Sequence, residues 1–134
     1  MLTLIVIPIE GVRTEKLIES FAGIECEVKV LDNDRNLNEE VTTEWKMYMF
    51  ADEVLTEELN VALPIFLKAG KSDVYKIYKR KEGRACEGEK EIFSIAPRVF
   101  KAEIKMQGDC LLPINWDECK MDTILNGFIV EGKT

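Results

Sequence analysis

Two acidic clusters, Asp32-Asn33-Asp34 and Asp52-Glu53, directly follow apolar runs that read as buried strands, and a third, Asp117-Glu118, follows Trp116. In an open α/β sheet, ligands settle outside the carboxyl ends of the strands, and acids gathered there can hold a divalent cation on a phosphate. The clusters therefore point to a nucleotide-diphosphate site. The chain contains no histidine, which removes the commonest general base, the Ser-His and Cys-His nucleophile pairs and His-based metal centres. Acid–base chemistry must then fall to carboxylates, Lys, Tyr or Cys.

At 134 residues the chain fits one domain, 1–134, and can bury roughly two thirds of its unfolded surface, so its folding requires neither metal nor disulfide. Eighteen basic against 25 acidic residues give a net charge of −7, with the basic residues scattered along the chain. Nucleic acid is not an expected partner, because phosphate affinity rests on concentrated Lys and Arg. Cys26, Cys86, Cys110 and Cys119 form no C-x-x-C pair and are expected as free thiols in a reducing, cytoplasmic setting. Residues 1–9 are apolar but lack a basic flank and a small-residue cleavage site, and they stop far short of the roughly 20 residues a bilayer requires. They read as a strand, and no transmembrane segment is expected.

The elements that must position the acids follow from periodicity. Residues 2–9 form a continuous apolar run closed by Pro8 and Gly11, as for a central strand covered on both faces. A helix capped by Thr14 carries Leu17, Ile18 and Phe21, and Gly23 ends it. Cys26, Val28 and Val30 alternate with charged residues in a second strand ending at Asp32. Strand, helix, strand is a βαβ unit with parallel strands. Residues 45–50 form a third strand ending at Asp52-Glu53. Its ten-residue link, 35–44, is short for a parallel crossover and is expected to be a helix of a turn or two.

Thr56 then caps a helix with Leu59, Ala62, Leu63, Phe66 and Leu67 on one face, Pro64 inside it and Gly70 at its end. Residues 73–80 and 91–96 read as strands joined by an exposed, mobile charged loop, 81–90, and 98–106 as a further half-buried strand. Segments 111–116 and 123–130 are short and apolar, broken by Pro113 and Gly127. The expected fold is one α/β domain with a mixed sheet, a Rossmann-like βαβ start followed by antiparallel strands.

The residues also resemble a family. Trp45-Lys-Met-Tyr-Met-Phe-Ala-Asp-Glu-Val-Leu-Thr-Glu-Glu-Leu59 is similar to the strand of inverting family 2 glycosyltransferases of GT-A fold that carries the DxD-type metal motif, with its following helix. Phe50-Ala51-Asp52-Glu53 falls on that motif. Leu4-Ile-Val-Ile-Pro8 and Val30-Leu-Asp-Asn-Asp34 resemble the family's first βαβ unit, where the opening loop and turn acid hold base and ribose. Ala96-Pro-Arg98-Val-Phe100-Lys101 is similar to its arginine-phenylalanine segment, and Leu125-Asn-Gly-Phe-Ile129 to its short C-terminal element.

The resemblance implies a transferase that moves a sugar from a nucleotide-sugar donor to an acceptor by direct displacement. Pro8, Asp32, Asp34 and Arg98 would hold the donor, and Asp52 would ligate Mn²⁺ or Mg²⁺ at its diphosphate. The acceptor's proton would pass to a carboxylate, for which Asp117 and Glu118 are the candidates. The chain departs from the family in having Phe50 where the motif begins with Asp, a short 35–44 segment, and Val130-Glu131 in place of a C-terminal histidine.

Each candidate has a plainer reading. Asp-Asn-Asp is also an ordinary turn, Asp52 an acid near a helix start, Asp117-Glu118 a solvated turn, and Arg98 a surface ion pair. Trp45 and Trp116 read as core rather than sugar platforms. A non-catalytic relative binding a nucleotide, a sugar or a protein partner, including a second copy of itself, is the alternative. A third reading is an acidic surface that engages a basic partner.

Overall fold

The computed structural model describes residues 1–32, 36–38, 40–81, 93–108 and 110–132. Among the described residues, seven strands and two helices follow in the order β1 (Leu2–Ile7), α1 (Glu15–Glu19), β2 (Cys26–Val30), β3 (Trp45–Phe50), β4 (Glu53–Leu55), α2 (Glu57–Ala69), β5 (Val74–Lys81), β6 (Phe93–Lys101) and β7 (Met121–Glu131). They form a single α/β domain on one mixed sheet with strand order β2-β1-β3-β6-β5-β7-β4.

β1 is the central parallel strand that its unbroken apolar run requires, buried at all six positions and paired parallel to β2 on one side and β3 on the other. Beyond β3 the pairing alternates: β3 with β6 and β6 with β5 are antiparallel, β5 with β7 is parallel, and β7 with β4 is antiparallel. Thus β1, β2, β3, β5 and β7 point one way, and β4 and β6 the other.

The position of β4 shapes everything downstream. In hydrogen-bonded order it lies four strand spacings from β3, about 19 Å in a flat sheet. Only Ala51 and Asp52 separate the two in sequence, and three Cα–Cα steps span at most about 11 Å. The sheet must therefore curl, so that β3, β6, β5, β7 and β4 form a roll closed by the chain itself at Asp52. β7 can serve both neighbours because its register against β5 jumps between Ile77 and Lys79, which spends the extra residues around Gly127 on a bulge.

Gly127, at φ +88°, lies so close to α2 that a Cβ there would stand 2.5 Å from Leu59 N and 2.5 Å from Thr56 Oγ1. Thr56 caps α2 as its sequence implies, accepting from Leu59 N, and its Oγ1 also accepts from Phe128 N. The cap is thus the bolt between helix and bulge. Leu59, Ala62 and Leu63 are buried and Phe66 half-buried, while α2 passes Pro64 as one element and ends at left-handed Gly70.

Two apolar layers result, one under the helices around Leu4, Val6, Leu17, Met47 and Leu63, the other around Ile5, Tyr48, Phe100 and Met106 under the connecting loops. Several expectations change. The described residues of 35–44 form turns rather than a helix. Asn38 instead grips the Met106 backbone, its side-chain nitrogen donating to the carbonyl and its side-chain oxygen accepting from Met106 N–H, and Tyr48 donates to Leu37 O.

In place of the strands expected at 91–96 and 98–106 there is one strand, β6, which runs through Pro97 and ends at Lys101; residues 102–106 are not strand but a turn leading to an isolated bridge between Met106 and Pro113. Pro97 is tolerated within β6 because Tyr75 pairs Val99 while Lys76 pairs Pro97, so Arg98 is an extra residue at a bulge. The segment around Gly127 is a long strand. Thr14 makes no side-chain cap, and Val28 and Val30, expected inward, are 43% and 53% exposed because β2 is the sheet's outer edge. Trp45 is core, but Trp116 is 54% exposed. Most of the 81–90 loop, with Cys86, lies outside the described residues; Cys26, Cys110 and Cys119 are free thiols. Among the described residues, no helix is long and apolar enough to cross a membrane.

Candidate functional site

Because β1, β2 and β3 are parallel, their carboxyl ends share one rim. Pro8 follows β1, Asp32 follows β2 and Asp52 follows β3. The chain leaves β1 to form β2 on one side and returns to form β3 on the other, which makes this rim a topological switch point, the crevice where open α/β sheets take ligands. Asp32 and Asp52 flank β1, two strand spacings or about 10 Å apart. Asp34 lies outside the described residues.

Asp117 and Glu118 are elsewhere. The 102–120 segment starts where β3 begins, with Ala102 N bonded to Glu44 O, and ends where β5 begins, with Asp73 N bonded to Lys120 O. That is the opposite rim, about 20 Å away along six-residue strands. The structure therefore does not bring this acid pair into reach of a reaction at Asp52. Near that same rim a groove of about 310 Å³, lined by Phe66, Lys71, Tyr75 and Asp122 among others, is likewise remote from Asp52.

The roll brings together a different set at the Asp52 rim. Glu53 is fully buried, and its carboxylate takes Arg98 Nη1 at 2.7 Å and Nη2 at 2.8 Å, Lys79 Nζ at 2.8 Å and Phe50 N at 2.6 Å. Burial alone would raise its pKa. The bonds and charge of Arg98, with Lys79 and the Phe50 amide, overcome that and hold it below the usual glutamate value. Arg98 reaches the cluster because the bulge re-aims it, and Nη1 also donates to Tyr48 O at 3.2 Å. Its guanidinium is thus committed to Glu53 and a backbone carbonyl, a buried pair rather than a surface one or a free phosphate clamp. Lys79 and Arg98 both lie over the Phe50 ring, 5.6 and 5.4 Å from its centroid, so the residue in place of the motif's first acid is an aromatic platform for cations.

Lys79 also meets Glu131 at 3.3 Å. Asp52 closes the rim, its carbonyl accepting from Gly132 N at 3.0 Å. Its Oδ1 is buried and has no hydrogen-bond partner among the described residues, as does Arg98 Nε. Burial, then the charges of Glu131 and Glu53, push the Asp52 carboxyl up.

A divalent ion takes about six oxygen ligands, and this donor set does not fit one. Among the described residues no group of three or more acid, Cys or His side chains is disposed to hold a metal. Phe50 offers no oxygen, Glu53 is saturated by cations, and Lys79 stands beside it. Lys79 and Glu131 were not legible as site residues. Glu53 and Glu131 each adjoin an apolar run, but only the β4–β7 register pairs them.

No protein-family model matches the chain, and no curated protein sequence does. Among solved structures, the chain is similar to a Bacillus anthracis protein described as a glucose-1-phosphate thymidylyltransferase, in complex with sucrose. The TM-score is 0.47 at 10% identity, over 99% of this chain and 91% of that one.

Proposed function

We propose that this chain is a glycosyltransferase-like module that binds a nucleotide or nucleotide sugar at the carboxyl ends of β1, β2 and β3 without metal-dependent transfer. The observation that carries the reading is the strand order β2-β1-β3, which opens a switch-point crevice between Pro8, Asp32 and Asp52. Asp32, exposed at the end of the outer strand, suits a ribose hydroxyl pair, and the apolar backbone turn at Pro8 suits a base. Metal-dependent transfer is disfavoured because Glu53 is neutralised within the fold by Arg98 and Lys79.

A second reading, glycosyl transfer to an acceptor hydroxyl, is favoured by one feature. Asp52 has a buried carboxylate oxygen without a hydrogen-bond partner among the described residues and a raised pKa, properties of a group that accepts a proton during displacement. In that reading Asp52, rather than Asp117 or Glu118, is the base.

Calorimetric titration with a panel of nucleoside diphosphates and nucleotide sugars, with and without Mn²⁺, separates these. The module reading expects binding that is insensitive to Mn²⁺, weakened by Asp32→Ala and accompanied by no turnover. Donor hydrolysis or transfer that is lost in Asp52→Asn selects the second. Absence of binding to folded protein overturns both and leaves a protein partner.

A further inference from the structure

β2 is the outer strand of the sheet, paired to β1 and to no second strand among the described residues. The curl folds the β4 end back toward β3, so β2 is the edge left open. An open edge presents a row of N–H and C=O groups to any strand that can align with them. The parity of that row is fixed by Leu31, whose N–H donates to Val6 O at 3.0 Å. In a parallel pair the N–H and C=O of one residue point to the same side, and successive residues alternate. Glu27 and Lys29 therefore turn their backbone groups to β1, and Cys26, Val28 and Val30 turn theirs outward.

Proline and bulges usually guard such an edge. β2 has no proline, and its register against β1 runs unbroken from Cys26 to Val30. Val28 and Val30 share the face of Leu4 and Val6, their partners on β1, yet stand 43% and 53% exposed. A lone lysine also guards an edge, but here exposed Glu27 offsets half-buried Lys29, one on each side of Val28. The run Cys26-Glu27-Val28-Lys29-Val30 is thus complementary to itself when reversed about Val28.

We propose that β2 is a dimerisation edge, which pairs antiparallel with β2 of a second copy about a two-fold axis at Val28 and joins the two sheets into one. Val28 then faces Val28 of the second copy, and Cys26 faces Val30. These are the residues whose backbone groups point outward, as the hydrogen-bonded positions of an antiparallel ladder require. Glu27 faces Lys29 at the positions between them, where side chains come closest, and symmetry forms that ion pair twice. Lys29 Nζ donates to Glu40 O at 3.3 Å, and the three donors of an ammonium let it take the carboxylate as well. A shift of one residue breaks the backbone match. A shift of two sets like charge on like, Glu27 on Glu27 or Lys29 on Lys29. The pairing holds with or without a nucleotide at the β1–β3 rim.

The test is sedimentation equilibrium of the reduced chain over a concentration series. A ladder this short buries less than a standard interface, so the mass should climb from 15.4 kDa toward twice that value between about 1 μM and 1 mM. Val28→Pro removes an outward N–H and spares the bonds that Glu27 and Lys29 make to β1, so it should stay monomeric. Glu27→Lys sets lysine against lysine at both positions and should raise the dimer Kd at least about tenfold. Lys29→Glu should do the same, and the double variant Glu27→Lys with Lys29→Glu should restore the wild-type Kd.

A chain that stays monomeric throughout that range overturns the proposal and leaves the edge to a strand of another protein. A dimer that either charge reversal leaves intact, or that the double variant fails to restore, overturns it as well, because the contact then lies elsewhere. The charge variants decide the question even if Val28→Pro does not fold.

Discussion

Glu53 and Arg98 meet fork to fork inside the roll, Oε1 on Nη1 at 2.7 Å and Oε2 on Nη2 at 2.8 Å, with side chains 0% and 4% exposed. Neither can exchange its partner for water, so the pair is a condition of closing the sheet. Arg98→Met should cost about 3–5 kcal/mol, the usual effect of orphaning a buried charge. The double variant Glu53→Leu with Arg98→Met should recover much of that loss. Urea unfolding measures both, and a single-variant cost under about 1 kcal/mol would mean that water screens the pair.

The same carboxylate sets an acid limit. Glu53 lies below its ordinary value of 4.5 in the folded chain, so the unfolded state takes up the proton first. Its stabilisation is present above pH 4.5 and is lost as pH falls through the folded value. Wild type should therefore lose stability on acidification more steeply than Glu53→Gln, measured as the difference in unfolding midpoint across that range.

Asp52 has the opposite sign. Its pKa is raised from 3.8 by burial and by Glu131 and Glu53, so the folded state holds its proton longer and loses stability as pH rises from 3.8 through the folded value. Asp52→Asn should leave Tm at neutral pH unchanged or higher. A clear fall would show that the carboxylate has a stabilising partner.

Lys46 is buried in β3, with Nζ bonded to Ile104 O at 2.6 Å. Burial, helped by Lys105, lowers its pKa from 10.5 to about 8. Between about pH 8 and 10.5 the unfolded chain binds more protons, so stability from this residue rises with pH through that window. The Lys46→Met variant should lack that rise, seen by subtracting its pH–stability curve from that of wild type.

Gly127→Ala should be among the most damaging small substitutions. Its φ of +88° strains any L side chain, and the new methyl would meet the Leu59 amide at 2.5 Å, an immovable helix end. We expect a loss of about 3 kcal/mol or more, combining backbone strain with overpacking. Thr56→Ala, which removes the cap but not the space, should cost about 1–2 kcal/mol. Chemical denaturation of both checks the order.

The local elements were written in the sequence wherever one residue's neighbours in the chain decide its state. The unbroken run of β1, the Thr56 cap, the α2 face with Leu59 and Leu63, and the β3 boundaries at Trp45 and Phe50 all follow from periodicity and end signals. The placement of Asp32 and Asp52 on one rim followed from reading β1 to β3 as parallel. What periodicity could not contain was the curl. That β4 pairs with β7, that the Arg98 bulge points a guanidinium inward, and that Lys79 bridges Glu53 and Glu131 all depend on contacts between residues tens of positions apart. Asp117 and Glu118 looked like partners for Asp52 for the same reason: sequence registers residue type, but only the direction of β6 decides at which end of the sheet the loop emerges. Tertiary structure, through strand order and register, turned a row of acids that suggested a metal into a cluster that carries its own cation.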